Sequence, residues 1–389
     1  MTLPSTSLCG REFERILLIK LSAMGDVVQT MPVLNKLRRR YPAARLDWLT
    51  TPPFAEFLRQ NHKISNVLEF ARDEWRQPWR LGPLADAARL AAKLRDLRYD
   101  LVLDLQGQFR SAVFARATAA AVRIGFARPH PRAWRASSRN LPEEARKHAW
   151  QGAREASWLA YTHPIKLPTL DLHAVDRYLG VVPMLGLDED PADFSFPISP
   201  TARERIEALL QRHGIAASTK LLVMAPGANW ETKRWHNEGF AAVARHFLQR
   251  RYGVALIGAP SERALCAQIA RRAPGSMNLA GETTLSELAA LIRRAALCVT
   301  NDSGPTHLAV ALDRSVISIF GPTDPVWAGP YHRADAVVRA ELACAPCYLR
   351  RLSRCRHAHA CMQEISPRAV IEQVEKLLAD NTVMLATST

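Results

Sequence analysis

Arg15-Ile16-Leu17-Leu18-Ile19-Lys20 runs straight into Leu21-Ser22-Ala23-Met24-Gly25-Asp26-Val27, and far downstream Leu297-Cys298-Val299-Thr300 runs into Asn301-Asp302-Ser303-Gly304-Pro305-Thr306-His307-Leu308. Each stretch reads as a short buried strand, a turn of small residues and the start of a helix, with a carboxylate at the turn. Open α/β sheets hold their ligands at the carboxyl ends of parallel strands. Two such edges in one chain predict two nucleotide-fold domains facing each other across a cleft.

The pattern extends outward from both. Met31 to Tyr41 has apolar residues at helical spacing and ends on Arg38 to Arg40, which suits a helix C-terminus. Leu46 to Leu49 reads as a strand, Leu84 to Leu97 as an amphipathic helix, and Asp100 to Leu105 as a strand ending at Gln106-Gly107-Gln108-Phe109-Arg110. Leu172 to Leu185 reads as a further helix. A second alternation follows: strand Lys220 to Ala225, helix Asn237 to Arg251, strand Val254 to Ile257, helix Leu285 to Ala296, strand Leu297 to Thr300, helix Pro305 to Leu312 and strand Val316 to Phe320. A closing helix is expected over 367–378, with Pro367 at an early position behind Ser366. Strand–helix alternation of this kind predicts an α/β fold of two doubly wound parallel sheets. The expected organisation is a disordered start over 1–14, a first domain over 15–187, a linker over the Pro-, Asp- and Ser-rich 188–200, and a second domain over 201–389.

Composition sets bounds on function. A chain of 389 residues with 48% hydrophobic and 23% charged residues can bury two cores. No apolar run approaches the length of a membrane span, and the first residues lack the core of a secretory signal, so a cytoplasmic protein is expected. The formal net charge of +15 favours anionic partners, whether nucleic acid, lipid headgroups or phosphorylated sugars. Arg123, Arg128, Arg132, Arg135, Arg139, Arg146 and Lys147 crowd one stretch against Glu143 and Glu144 alone, and Arg72 to Arg80 interleaves guanidinium groups with Trp75 and Trp79. These are either solvated loops or an acceptor surface for an anionic sugar. Four of the seven cysteines, Cys344, Cys347, Cys355 and Cys361, are close in sequence. Their spacing would suit a zinc or iron knot, but only the first pair has the tight knuckle spacing, so a cluster of buried thiols is the favoured reading; disulfides are not expected in a reducing compartment.

The turn after Thr300 carries the most chemistry. The first amides of the helix that follows have no partners within it and lie at its positive end, where a phosphate binds well. A structural alternative is that Asp302 or Ser303 merely caps that helix. Capping accounts for one polar residue, not for Asp302, Ser303, Gly304, Thr306 and His307 together. Lys233, on the loop Pro226 to Trp235 after another strand, can hold a diphosphate as a point charge. Glu262, just past the strand Val254 to Ile257, can accept ribose hydroxyls. Neither a Walker loop nor G-x-G-x-x-G is present, which disfavours P-loop hydrolysis and dehydrogenase chemistry. Asp26 is placed either to take a proton from a sugar hydroxyl or to cap its own helix.

Taken together, Lys20 to Val27, Asp104-Leu-Gln106-Gly107, Lys233-Arg-Trp235, Asn301 to His307 and Phe320-Gly-Pro-Thr-Asp-Pro325 resemble glycosyltransferase family 9, the ADP-heptose:lipopolysaccharide heptosyltransferases. The similarity runs from about residue 15 to 378. It implies a GT-B fold of two Rossmann-like domains and inverting transfer of L-glycero-D-manno-heptose from ADP-heptose to the Kdo/heptose inner core of lipopolysaccharide. On that resemblance Asp26 is the general base, Lys233 binds the donor phosphates, Glu262 the adenosine ribose, and Asp302, Ser303, Gly304, Thr306 and His307 the donor sugar and diphosphate. Arg76, Arg80, Gln106 and Arg110 face the Kdo-lipid A or heptosylated acceptor, at the cytoplasmic surface of the inner membrane. No metal cofactor is implied, with Cys344, Cys347, Cys355 and Cys361 as the metal-ligating candidates. Competing readings are a relative that moves another sugar or glycosylates a protein, a GT-B epimerase and, most distantly, a basic nucleic-acid-binding protein.

Overall fold

Strand β1 (Arg15–Ile19) is buried at every position after its first residue, the burial expected of a central strand covered on both faces. The computed structural model describes residues 8–71, 81–128, 152–169 and 171–387. Within it, β1 pairs in parallel with β2 (Arg45–Thr50) on one side and β4 (Leu101–Asp104) on the other. β3 (Asn66–Glu69), β5 (Val122–Phe126) and β6 (His163–Ile165) complete a six-stranded sheet in the order β3-β2-β1-β4-β5-β6. A second sheet contains β7 (Leu221–Ala225), β8 (Gly253–Leu256), β9 (Met277–Asn278), β10 (Leu297–Asn301), β11 (Val316–Phe320) and β12 (Val337–Arg339), in the order β12-β11-β10-β7-β8-β9. All the pairings in both sheets are parallel.

Renumbered within its own half, the second sheet has the order of the first, that of the doubly wound dinucleotide fold. In each sheet the order reverses between the first and fourth strands of the half, β1 and β4 or β7 and β10. Outside the carboxyl ends of such a pair lies a crevice where ligands bind. Asp26 follows β1, Gln106 follows β4, Lys233 follows β7, and Asp302 follows β10.

The chain divides into two compact units, with the described residues up to Pro197 in one and those from Ile198 in the other. The first unit's core gathers Leu17, Ile19, Val102 and Phe114. The second gathers Met224, Trp235, Phe240, Phe247, Val299 and Ile319. The stretch 188–200, expected as a linker, is tied to the first unit through most of its length. Buried Lys36 donates to Asp188 Oδ1 at 2.7 Å and to the Asp190 carbonyl at 2.7 Å. Asn35 donates to the Asp193 carbonyl at 2.6 Å, and the Phe57 and Phe196 rings meet edge-on at 5.0 Å.

One expected helix is corrected. Leu172 to Leu185 is two short helices, Ala174–Leu179 and Val182–Leu185, because the first ends at Gly180 and the second opens with a proline in its first turn. The closing helix starts at Pro367 as expected but runs on to Thr387. No helix among the described residues is long and apolar enough to cross a membrane.

Candidate active site

Asp26 stands in the helix Met24–Gln29, and its Oδ2 accepts the Ala23 amide at 3.0 Å. It therefore does cap its own turn. Its Oδ1 is engaged differently, by the Tyr178 hydroxyl at 2.6 Å, with the Lys20 ammonium 3.7 Å away. The Asp26 side chain is 40% exposed while Lys20 is only 4% exposed, so the carboxylate faces outward from a buried cation. Burial lowers the Lys20 pKa, and the negative charges of Asp26 and Asp104 oppose that fall. Lys20 also donates to the Leu105 carbonyl at 2.8 Å, which ties the turn after β1 to the end of β4.

Asp104 is fully buried at the end of β4. It accepts the Gln106 amide at 3.0 Å, the Gly107 amide at 3.2 Å and the Tyr161 hydroxyl at 2.8 Å. Burial pushes its carboxyl up, while these donors hold it down. Gly107 takes φ +64°, a conformation glycine adopts without strain. The Gln106 side-chain oxygen accepts the Leu21 amide at 3.1 Å and the Ser22 amide at 3.3 Å, so this expected acceptor residue braces the turn that carries Asp26. Arg110 is exposed on the helix Phe109–Ala117. Arg76 and Arg80 lie outside the described residues, as does the basic stretch 129–150. Arg123, from the same charged segment, is part of β5 and donates to the Ala160 carbonyl at 2.7 Å.

In the second unit, Lys233 Nζ lies 2.6 Å from Asp302 Oδ2, and the Thr323 hydroxyl donates to the same oxygen at 2.6 Å. Both side chains of the ion pair are largely buried, 16% and 5% exposed. Lys233 rests on the Trp230 ring at 4.5 Å, and Arg350 lies 4.8 Å from that ring. Asn301 bridges the two strand ends by accepting the Trp235 amide at 3.0 Å and donating to the Pro226 carbonyl at 2.7 Å. The capping alternative fails at this turn. Ser303 occupies the cap position of the helix Gly304–Ala311 without a side-chain cap bond, its hydroxyl donating to the Asn301 carbonyl at 3.1 Å. The Asp302 carboxylate goes to Lys233 and Thr323 instead.

Gly304 and His307 are half-buried in the first turn of that helix. Thr306, expected among the donor-binding residues, points inward. Its side chain is fully buried, and its hydroxyl lies 2.7 Å from Thr300 Oγ1, 3.0 Å from the Asn301 carbonyl and 3.2 Å from Ser318 Oγ. It supports the turn from inside, its hydroxyl lying between Thr300 on β10 and Ser318 on β11. Glu262 accepts the Ala259 amide at 2.8 Å, and its carboxylate lies against two glycines. A Cβ on Gly227 would fall 1.9 Å from Glu262 Oε1, and one on Gly258 2.8 Å from Oε2. The ends of β7 and β8 are thus kept bare to admit that carboxylate.

Cys344, Cys347 and Cys355 are half-buried and Cys361 is buried, all as free thiols. Burial raises the Cys347 thiol and pushes Cys361 up to about 12, and the charges of the neighbouring cysteines add to both. Among the described residues no three His, Cys, Asp or Glu side chains are arranged to hold a metal ion. The segment packs onto the Lys233 loop: His359 Nε2 lies 2.7 Å from the Thr232 carbonyl, and the Thr232 hydroxyl donates to the Leu349 carbonyl at 2.5 Å. Tyr178, Trp230, Gly227 and Thr323 are not among the site residues the sequence singles out. Gly227 carried a local signal as the glycine of a strand end, and Thr323 lies in the Phe320 to Pro325 motif; Tyr178 and Trp230 carried none.

Two parallel-sheet domains of dinucleotide-fold order, each with ionisable groups at its reversal point, are the architecture of the GT-B class. The family model for glycosyltransferase family 9 (heptosyltransferase) matches residues 87–151 and 145–359. The chain belongs to glycosyltransferase family 9. It is 28% identical over 383 residues to lipopolysaccharide heptosyltransferase 1 of Pseudomonas aeruginosa, covering 94% of this chain and 98% of that protein. To lipopolysaccharide heptosyltransferase 2 of Salmonella typhimurium it is 26% identical over 386 residues, covering 95% and 100%. Among solved structures, E. coli ADP-heptose lps heptosyltransferase II superposes with a TM-score of 0.71 at 21% identity, over 95% of this chain and 99% of that one. E. coli heptosyltransferase WaaC with ADP-2-deoxy-2-fluoro heptose gives 0.69 at 23% identity, over 93% and 99%.

Proposed function

We propose that this glycosyltransferase moves L-glycero-D-manno-heptose from ADP-heptose to the Kdo/heptose inner core of lipopolysaccharide, with inversion at the anomeric carbon. The observation that carries the reading is the placement of chemically opposite groups at the two reversal points. A partly exposed carboxylate, Asp26, sits at one; a cation, Lys233, sits at the other beside Asp302. The relatives named as lipopolysaccharide heptosyltransferases, matched over nearly their whole length, support the choice of sugar and acceptor.

In this reading the acceptor hydroxyl gives its proton to Asp26 as its oxygen attacks the anomeric carbon. The bond from that carbon to the diphosphate oxygen breaks, and ADP leaves with the electron pair on the opposite face. Lys233 stabilises the charge that gathers on the diphosphate. An ammonium has three hydrogens, so Lys233 can keep Asp302 and still donate to a phosphate oxygen. Glu262 takes the ribose, while Ser303, Gly304 and His307 meet the sugar and diphosphate. Arg76, Arg80 and Arg110 bind the anionic acceptor, and the protein works at the inner-membrane surface. Fixed cations carry the charge neutralisation, so transfer is expected to continue in EDTA.

A panel of nucleotide sugars tests the donor. With a Kdo-lipid A acceptor, ADP-heptose is expected to release its nucleoside diphosphate far faster than UDP-, GDP- or ADP-hexoses release theirs. Equal or faster turnover of one of those would move the chain to another sugar.

A further inference from the structure

Resting on the reading of Asp26 as the base, we infer that Tyr178 is a positioning residue for the transfer: its hydroxyl, backed by Lys20, fixes the Asp26 carboxylate.

Asp26 Oδ2 is tied to its own turn through the Ala23 amide, but Oδ1 is held by a side chain 152 residues away in sequence. Lys20 Nζ lies 2.8 Å from the Tyr178 hydroxyl, and that hydroxyl lies 2.6 Å from Asp26 Oδ1. The polarity of this chain is fixed by chemistry. An ammonium only donates and a carboxylate only accepts, so the phenol accepts from Lys20 and gives its single proton to Asp26. Burial and the neighbouring Asp26 charge hold that phenol well above its ordinary pKa, so it stays a donor.

The supports of Tyr178 are rigid. Its helix, Ala174–Leu179, is capped by His173, whose Nδ1 accepts the Val175 amide at 3.2 Å. The helix ends at Gly180, where a Cβ would come within 2.8 Å of Ile165 Cγ2 on β6. The Tyr178 ring lies under Lys20 Nζ at 4.2 Å and beside Phe126 at 6.4 Å. A base acts only within hydrogen-bond reach of the proton it takes, and a displacement of about 1 Å costs roughly a hundredfold in rate. One oxygen tied to the local turn leaves the carboxylate a hinge about that bond. The second tie, from a helix packed on the sheet edge, removes the hinge.

Among the described residues, the charged and titratable groups facing this pair include Lys20 after β1, Asp104 at the end of β4, and Arg177 beside Tyr178 on its own helix.

The test is Tyr178→Phe in the full-length enzyme, assayed for transfer across pH with Asp26→Asn alongside. The ring and its packing remain, so the variant should fold. Loss of a hydrogen bond to a charged group predicts a fall in kcat of roughly ten- to a hundredfold with little change in donor KM. The acid limb of kcat/KM moves to higher pH, because the carboxylate loses a donor that favours its charged form. As a second probe, 3-fluorotyrosine at position 178 keeps the hydroxyl but makes it a stronger donor, and the limb moves to lower pH. A merely structural tyrosine lowers Tm and leaves the limb in place under both changes; that result overturns the inference. If instead Asp26→Asn keeps its turnover, the base assignment itself has failed, and the inference falls with it.

Discussion

Lys233 Nζ and Asp302 Oδ2 lie 2.6 Å apart although they follow different strands, β7 and β10, paired in parallel at the point where the sheet order reverses. The pair stands where a dinucleotide fold places phosphates, and Trp230 lies beneath the lysine. Lys233→Met should lower kcat/KM for the donor by roughly 10²- to 10³-fold, the scale for removing one preorganised donor at a developing negative charge. Steady-state transfer at varied ADP-heptose measures it. A change below about threefold would show that the cation serves only Asp302.

Gly227→Ala probes the bare strand end beside Glu262. The new methyl would fall 1.9 Å from Glu262 Oε1, so the carboxylate must swing away. Donor KM should rise roughly tenfold, as for a lost hydrogen bond to a charged group, with Glu262→Gln giving a rise of the same order. Calorimetric titration with ADP reads this without the acceptor.

Thr306 should behave as a supporting residue. Thr306→Val leaves the hydrogen-bonding groups around its buried hydroxyl short of a partner and should cost about 1–3 kcal/mol of stability. Thr306→Ser should cost less. Thermal melts distinguish the two, and donor affinity should be similar for both.

The fold was legible where the chain is buried on both faces. β1, β7, β10 and β11 are short unbroken apolar runs, and each was read within a residue or two of its ends. β3, β5, β6, β9 and β12 were not read. They are outer or short strands with polar or basic residues, Arg123 and His163 among them, and their apolar pattern is too brief to register. The position of Asp26 and Asp302 at turns after β1 and β10 follows from the local sequence. The site was illegible where the partner is remote: nothing near Tyr178 announces a carboxylate 152 residues earlier. The inward direction of the Thr306 hydroxyl was likewise illegible, because sequence gives a residue's place in a motif but not the direction of its side chain.

The segment after Leu187 gives a pH prediction. Arg39 and then Lys36 hold the Asp188 carboxyl down to about 2 from its ordinary 3.8. A folded-state pKa below the unfolded value stabilises the protein above the unfolded pKa, and that contribution is lost as pH falls through the folded one. Asp188→Asn should therefore lower Tm at neutral pH, and the gap from the parent should close between about pH 4 and about pH 2. Because Asp188 is partly exposed, solvent screening keeps the effect modest. A gap that stays constant over that window would mean the carboxylate's charge is not what holds 188–197 in place.

The measurement that bears most directly on the central claim is transfer from ADP-heptose to Kdo-lipid A, with and without a heptose already on the acceptor, read by mass spectrometry. The account predicts a gain of one heptose on one of these acceptors and release of ADP, with Asp26→Asn inactive under the same conditions. No gain on either acceptor while ADP-heptose still binds, or undiminished gain with Asp26→Asn, would contradict it.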